Sequence, residues 1–265
     1  MNGSLPFAAL TGSQSDFTKD FMGQDSKIEW THHTFNPWIG CTKVGPACDF
    51  CYAESLSNRY GWVTWGPHGE RKRTSPANWR KPIAWDKAAA KAGVRHRVFC
   101  ASLADWLDNQ VPAQWREDLA LLIDETPNLD WLLLSKRIQN FDKHAPWHSD
   151  NLPSNVWLGI TCASQDEFDR DYPKLAAVNA RVRFISYEPA LAPLIYVGGV
   201  SPRPNWIICG GESGHSARMM RPEWARDIRD ACKTHGIAFF MKQMTKKAEI
   251  PADLLIRQFP ESSHA

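Results

Sequence analysis

No apolar run in this chain approaches eighteen residues, so nothing in it is suited to cross a membrane as a helix. The N-terminus lacks the basic-then-apolar pattern of a secretion signal. Net charge is scarce. Thirty-one Lys and Arg stand against 29 Asp and Glu, a balance of +2 that gives the whole molecule no strong pull on a polyanion. The seven cysteines are an odd number, which argues against a disulfide framework and for a reducing, cytoplasmic location. There is also only one C-x2-C, so the chain has no second half of a common zinc pattern.

What is present is α/β patterning. The 265 residues suit one domain, expected over 26–250, with a loosely ordered leader over 1–25 and a C-terminal tail over 251–265. Short apolar runs recur at Val98–Ser102, Trp131–Ser135, Val156–Thr161, Val182–Ser186, Trp206–Gly210 and Ile237–Met241. Near-continuous apolar runs of this length fit parallel strands buried on both faces. Helical stretches lie between them at Ala113–Asp124, Ser164–Ala177 and Pro222–Thr234, with Pro112 and Pro222 at first-turn positions. A strand near Trp38 brings the total to seven. Strand–helix alternation of this length predicts a TIM-like parallel β/α barrel, partial or complete, with a doubly wound open sheet as the competing topology.

A barrel of this type carries its chemistry at the C-terminal ends of its strands. Here those ends read Ser102 with Asp105, Ser135-Lys136-Arg137, Thr161, Ser186-Tyr187-Glu188, Gly210-Gly211-Glu212 and Lys242-Gln243. Polar residues must close any strand, but that accounts poorly for a lysine, two glutamates and a glutamine, each immediately after an apolar strand. Glu188 and Lys242 are therefore candidate catalytic residues. Cys100, Cys162 and Cys209 lie in or beside strands, where a free cysteine behaves as a small buried hydrophobe. Cys162, just past its strand, is the best placed of them to donate hydrogen to a substrate radical.

Residues 61–97 break the pattern. They hold nine Lys or Arg against Glu70 and Asp86, interleaved with Trp62, Trp65, Trp79 and Trp85. Charge for phosphate and rings for bases would suit DNA or RNA. The competing reading is a basic insertion whose tryptophans cap the barrel.

The densest signal is Gly40–Glu54, GCTKVGPACDFCYAE, with cysteines spaced C-x6-C-x2-C. Gly40, Gly45 and Pro46 make this a loop, which disfavours buried packing. A redox pair needs no third thiol. Structural zinc would need His32 or His33 as fourth ligand. An iron–sulfur cluster suits three thiolates on a loop, and it leaves one metal position open for something that reacts.

At this point the residues carry a resemblance. Cys48-Asp49-Phe50-Cys51 is similar to the cluster loop of radical S-adenosylmethionine enzymes, although their usual first gap is three residues rather than six. The segments Trp38–Glu54, LLLSKR at 132–137, NVWLGIT at 155–161, RFISYEPAL at 183–191, WIICGGESG at 206–214 and FFMKQ at 239–243 resemble, over residues 28–245, a phage-derived three-Cys-motif family that is radical-SAM-like. The resemblance implies a [4Fe–4S] cluster on Cys41, Cys48 and Cys51. Its open iron would take the amino and carboxylate groups of S-adenosylmethionine (AdoMet), with Phe50 near the adenine. Further cofactor contacts would come from Ser102, Lys136, Glu188, Gly210, Gly211 and Glu212. In the superfamily a Gly-Gly-Glu run usually follows the second strand, whereas here it follows a late one.

The function expected is therefore a radical enzyme. A reduced cluster, fed by an electron donor protein, would cleave AdoMet to a 5′-deoxyadenosyl radical, with nucleic-acid repair or modification as the use, in the manner of spore photoproduct lyase. The alternative is a binding module, stabilised by zinc or a cluster and holding nucleic acid or protein. A metal-free, glycosidase-like barrel using Glu188 and Glu212 leaves the cysteine loop unexplained.

Overall fold

The computed structural model describes residues 28–199 and 201–261. The leader expected over 1–25 lies outside the described residues. Seven strands form one all-parallel sheet: β1 (His33–Phe35), β4 (His96–Cys100), β5 (Leu129–Ser135), β6 (Val156–Thr161), β7 (Val182–Tyr187), β8 (Trp206–Gly210) and β9 (Ala238–Gln243). Their spatial order is their chain order, so the sheet has no point at which strand order reverses. That reversal defines a doubly wound sheet, and its absence decides for the barrel-like topology. β1 and β9 are not paired with each other, so the sheet is a curled, open barrel.

The seventh strand is not at Trp38. Pro37 has no N–H to give a ladder, and β1 stops before it. Trp38–Ile39 (β2) instead pairs antiparallel with Lys72–Arg73 (β3), Trp38 opposite Arg73 and Ile39 opposite Lys72. Gly40 follows at φ 111°, where an added Cβ would lie 2.5 Å from the Glu70 carbonyl oxygen. The chain can turn into the cysteine loop here only because Gly40 has no side chain.

The helices follow the sequence pattern closely. In chain order they are α1 (Tyr52–Tyr60), α2 (Pro76–Trp79), α3 (Lys81–Ala92), α4 (Ala113–Asp124), α5 (Phe141–His144), α6 (Gln165–Ala177) and α7 (Pro222–His235). Pro112 caps α4 rather than entering its first turn. Ser164 caps α6 by accepting from Glu167 N, and Glu167 reaches back to Ala163 N at 2.7 Å, a reciprocal arrangement that satisfies two orphan donors. None of these helices is long and apolar enough to cross a membrane.

Strand alternation divides the core in two. On the helix side, Leu133, Leu158, Ile185, Ile207 and Phe239 pack with Leu119, Ile123, Phe168 and Ile228. On the concave side, Phe99, Leu132, Trp157, Phe184, Trp206 and Phe240 close the barrel floor together with Trp30. The rings meet edge-on or tilted, as at Trp157–Trp206 (6.2 Å) and Trp30–Phe99 (4.7 Å), the geometries that aromatic quadrupoles favour.

The basic segment is part of the fold, and its tryptophans pack against the core. It is not one loop of free rings. α3 packs on β4 and β5 through Trp85 and Ala89, serving as a crossover helix. Trp85 stacks on His33 at 4.3 Å and Trp79 meets Phe35 edge-on at 5.6 Å. Trp62 and Trp65 pack against Ile39, Ala53, Val63 and Leu103. Its arginines meet distant acids, Arg71 with Asp108, Arg73 with Asp118 and Arg95 with Asp130. Part of the charge that is segregated in sequence is thus paired in space.

Residues 251–261, expected as a tail, run antiparallel along β9. Met241 N donates to Ile256 O (2.9 Å), Gln258 N donates to Phe239 O (3.0 Å), and Phe259 packs on Trp206 and Phe240. An apolar strand edge left open is an aggregation hazard, and this segment covers it.

Gly159 is where the barrel floor has least room. An added Cβ would lie 2.3 Å from the Phe184 ring. Gly159→Ala is expected to destabilise the fold by about 1–3 kcal/mol, as overpacking does. Thermal unfolding followed by circular dichroism checks this, and an unchanged midpoint would mean that Phe184 moves aside without cost.

Candidate active site

A cavity of about 690 Å³ opens at the C-terminal ends of the strands. Cys41, Cys48 and Cys51 line it, and all three are free thiols. Cys41 follows β2, Cys48 ends a short 3₁₀ turn at Pro46–Cys48, and Cys51 is the N-cap residue of α1. Tyr52 ties this helix start to the end of β4 by donating to Ser102 O at 2.7 Å.

Two buried arginine–aspartate pairs grip the loop at Thr42. The Arg71 guanidinium donates to Asp108 Oδ2 (2.7 Å), Thr42 Oγ1 (2.8 Å) and Gly69 O (3.0 Å). Arg137 donates to Asp105 Oδ2 (2.9 Å), to the Thr42 carbonyl oxygen and to Cys41 Sγ (3.4 Å). Asp105 is itself fixed, accepting from Ser135 Oγ (2.7 Å), Leu107 N (3.0 Å) and Lys136 N (3.0 Å). Burial pushes the Cys41 thiol up to about 12; Asp105 adds to this and Arg137 opposes it.

A third arginine closes the other side of the loop. Arg218 pairs with Glu212 (2.5 Å) and Asp49 (3.0 Å), donates to Pro46 O (2.8 Å), and lies over the Phe50 ring at 5.0 Å. It joins the cysteine loop to the loop after β8.

The cavity gathers most of the residues singled out in sequence. Phe50, Ser102, Lys136, Glu188, Gly211, Glu212 and Lys242 line it. Glu188 and Lys242 form an ion pair across it. Gly210 does not line it; the Glu188 and Lys242 side chains stand 3.5 Å from where its Cβ would be. Gly211 is pressed against Thr245, whose backbone N would lie 2.6 Å from an added Cβ. Gln243 donates to Gly211 O at 2.7 Å and so holds that loop.

Cys162 is not brought to the site. It is fully buried in the core on the helix side, and burial holds its thiol well above its ordinary value. The reason is the strand period: Thr161 faces the cavity, so its neighbour faces away. The histidines are elsewhere too. His33 Nε2 meets His96 Nδ1 at 3.0 Å, and His32 Nδ1 accepts from Arg97 N at 2.8 Å. Neither lines the cavity, so the zinc arrangement loses its proposed fourth ligand.

Among the described residues, no three His, Cys, Asp or Glu side chains are grouped to hold a single metal ion. The donor set fits an iron–sulfur cluster better. Three thiols share one loop and one cavity, and in a cubane cluster each thiolate holds a separate iron, so the sulfurs need not converge on one point.

The family model described as "Protein of unknown function (DUF5131)" matches residues 25–254. The chain belongs to this family. No curated protein matches the sequence. The fold is similar to that of spore photoproduct lyase. One single-residue variant of that protein has a TM-score of 0.55 at 9% identity, covering 84% of this chain and 80% of that one. A second structure, with bound AdoMet and dinucleoside spore photoproduct, has a TM-score of 0.50 at 10% identity over 84% of this chain and 80% of that one. At such identity the likeness is one of fold, a TIM-like parallel α/β sheet. No match bears on a phage origin.

Two predictions follow from the loop's anchors. Asp108→Ala strands a buried Arg71 and is expected to cost about 3–5 kcal/mol, whereas Arg218→Ala, at a one-third exposed arginine, is expected to cost under about 1 kcal/mol. Denaturant midpoints of both variants check the ranking, and equal losses would overturn it. The packed histidines add a pH term. Burial lowers His32 and His33 to about 4 from 6.5. Within that window the unfolded chain binds protons that the folded one refuses. Stability is therefore full above 6.5 and is expected to fall as pH drops toward 4, which urea midpoints at about pH 7 and about pH 5 test.

Proposed function

We propose that this protein is an AdoMet-dependent radical enzyme whose Cys41, Cys48 and Cys51 hold a [4Fe–4S] cluster. The observation that carries this reading is the convergence of those three free thiols with Lys136, Glu188, Glu212 and Lys242 on one cavity at the strand ends. When bound, the cluster supplies the electron that cleaves AdoMet reductively and opens hydrogen-abstraction chemistry.

The chain's own residues have definable tasks. The three thiolates are the ligands. The Phe50 ring, 44% exposed beside them, offers a stacking face for adenine. Lys136 lines the cavity, and its ammonium pairs with no carboxylate among the described residues, so it is a cation available to an anionic group of the ligand. Glu188 and Lys242, paired at the strand ends, orient a substrate polar group. The aromatic floor excludes water from below.

We infer nucleic acid as the substrate class, reached through the cavity mouth, to which residues 61–97 contribute Trp65, while Trp79 and Trp85 pack against the core. Support comes from the fold likeness to spore photoproduct lyase, whose structures include one with a dinucleoside spore photoproduct.

The test is anaerobic reconstitution with iron and sulfide, then metal analysis and an assay for 5′-deoxyadenosine after adding dithionite and AdoMet. About four irons per chain are expected, with product formed faster when damaged DNA is present and abolished in Cys48→Ala. Stoichiometric zinc, no iron and no cleavage would overturn the reading and leave a zinc-stabilised binding protein.

A further inference from the structure

The three cysteines are not treated alike. Among the described residues, no side-chain donor reaches the sulfur of Cys48 or Cys51. Cys41 Sγ receives an N–H from Arg137 at 3.4 Å, within the longer reach usual for sulfur acceptors. That guanidinium is buried, with its side chain 5% exposed, and it is aimed by Asp105, which three other donors hold in place.

A plain structural staple would explain the bonds from Arg137 to Asp105 and Thr42. It does not require one to sulfur, and Arg71 already secures Thr42 through its hydroxyl. The Cys41 thiol's own donation to Thr42 O, at 3.5 Å, ends when the thiol is deprotonated for metal binding. Arg137 is then the donor left on that sulfur.

We propose that Arg137 is a positioning residue for the cluster. It fixes Cys41 and raises the cluster's reduction potential through a positive charge and an N–H on that one sulfur. This rests on the cluster reading above. The physical reason is direct. Reduction adds negative charge to the cluster, a nearby buried cation favours the more negative state, and hydrogen bonds to ligand sulfur shift the potential in the same sense. The same Arg137 nitrogen, Nη1, bonds both Asp105 Oδ2 and Cys41 Sγ, so Asp105 offsets part of the charge that Arg137 brings to the sulfur and the directed N–H is what Arg137 alone supplies.

The experiment compares reconstituted wild type, Arg137→Lys, Arg137→Gln and the double variant Asp105→Asn/Arg137→Gln. The double variant removes both charges, so no buried carboxylate is stranded and the fold is kept. Iron content and an EPR-monitored redox titration are read for each, with circular dichroism as the fold control. In Arg137→Gln the ratio of reduced to oxidised cluster at the wild-type midpoint is expected to fall about tenfold, equivalent to 59 mV for one electron, and to fall less in the double variant, which also removes the Asp105 charge. Arg137→Lys is expected to recover part of the shift. Iron lost from a folded double variant but kept in Arg137→Lys would also support the proposal, as failure to hold Cys41. Equal iron and equal midpoints in all four proteins would overturn it. A wild type that takes up no iron would remove the cluster reading itself, and this inference with it.

Discussion

Two buried ion pairs at one residue decide where the cysteine loop lies. Arg71–Asp108 and Arg137–Asp105 both close on Thr42, one through its hydroxyl and one through its carbonyl. Such pairs are poor sources of net stability, because desolvation offsets most of their attraction. What they supply is direction. A glycine- and proline-containing loop has many accessible paths, and two planar guanidinium forks with fixed geometry select one. The aspartates come from the segment after β4, so the loop is referenced to the strand ends, where the other cavity residues originate. Arg218 completes the frame from the β8 side, at an exposed position where the pairing is weaker.

Strand alternation is the second constraint, and it sorts the chemistry. Thr161, Ser186 and Glu188 fall on one face of their strands, while Ile160, Cys162, Ile185 and Tyr187 fall on the other. A one-residue change in phase sends a side chain from cavity to core. This is why Cys162, only one position beyond a cavity-lining threonine, has no access to substrate. It also explains why the concave face splits along its length. Its lower positions are aromatic and closed, and its upper positions are polar and open.

Much of this was legible in the chain. The apolar runs located six of the seven strands and three of the helices closely, because buried parallel strands must be apolar on both faces. The strand ends that looked chemical in sequence line the cavity, apart from Tyr187 and Gly210. What was not legible depends on contacts between residues far apart. The pairing of Arg71 with Asp108 spans 37 residues, and that of Arg218 with Asp49 spans 169. No local pattern announces either. The partners of the basic run over 61–97 are hidden for the same reason, since local counting cannot see the acids that Arg73 and Arg95 reach. Pro37 was the local signal available for moving the first strand from Trp38 back to His33–Phe35, because its missing N–H ends a ladder.

These long-range pairs also set the electrostatic character of the cavity. Arg137 with Asp105, Lys242 with Glu188, Arg257 with Glu29 and Lys43 with Glu54 are each close to neutral as units. Their net charge contributes little field at a distance, but each is a local dipole. Among the described residues, the cavity-lining Lys136 and Lys247 ammoniums have no carboxylate partner, and the three thiolates, once formed, add negative charge. A cavity built this way does not attract polyanions by bulk charge, in keeping with the chain's balance of +2. It discriminates at short range, where the orientation of a dipole against a sulfur or a carboxylate matters more than the sum of charges. The arginine that faces Cys41 is the clearest instance, because its partner aspartate cancels its charge for the molecule while leaving its N–H directed at one ligand atom.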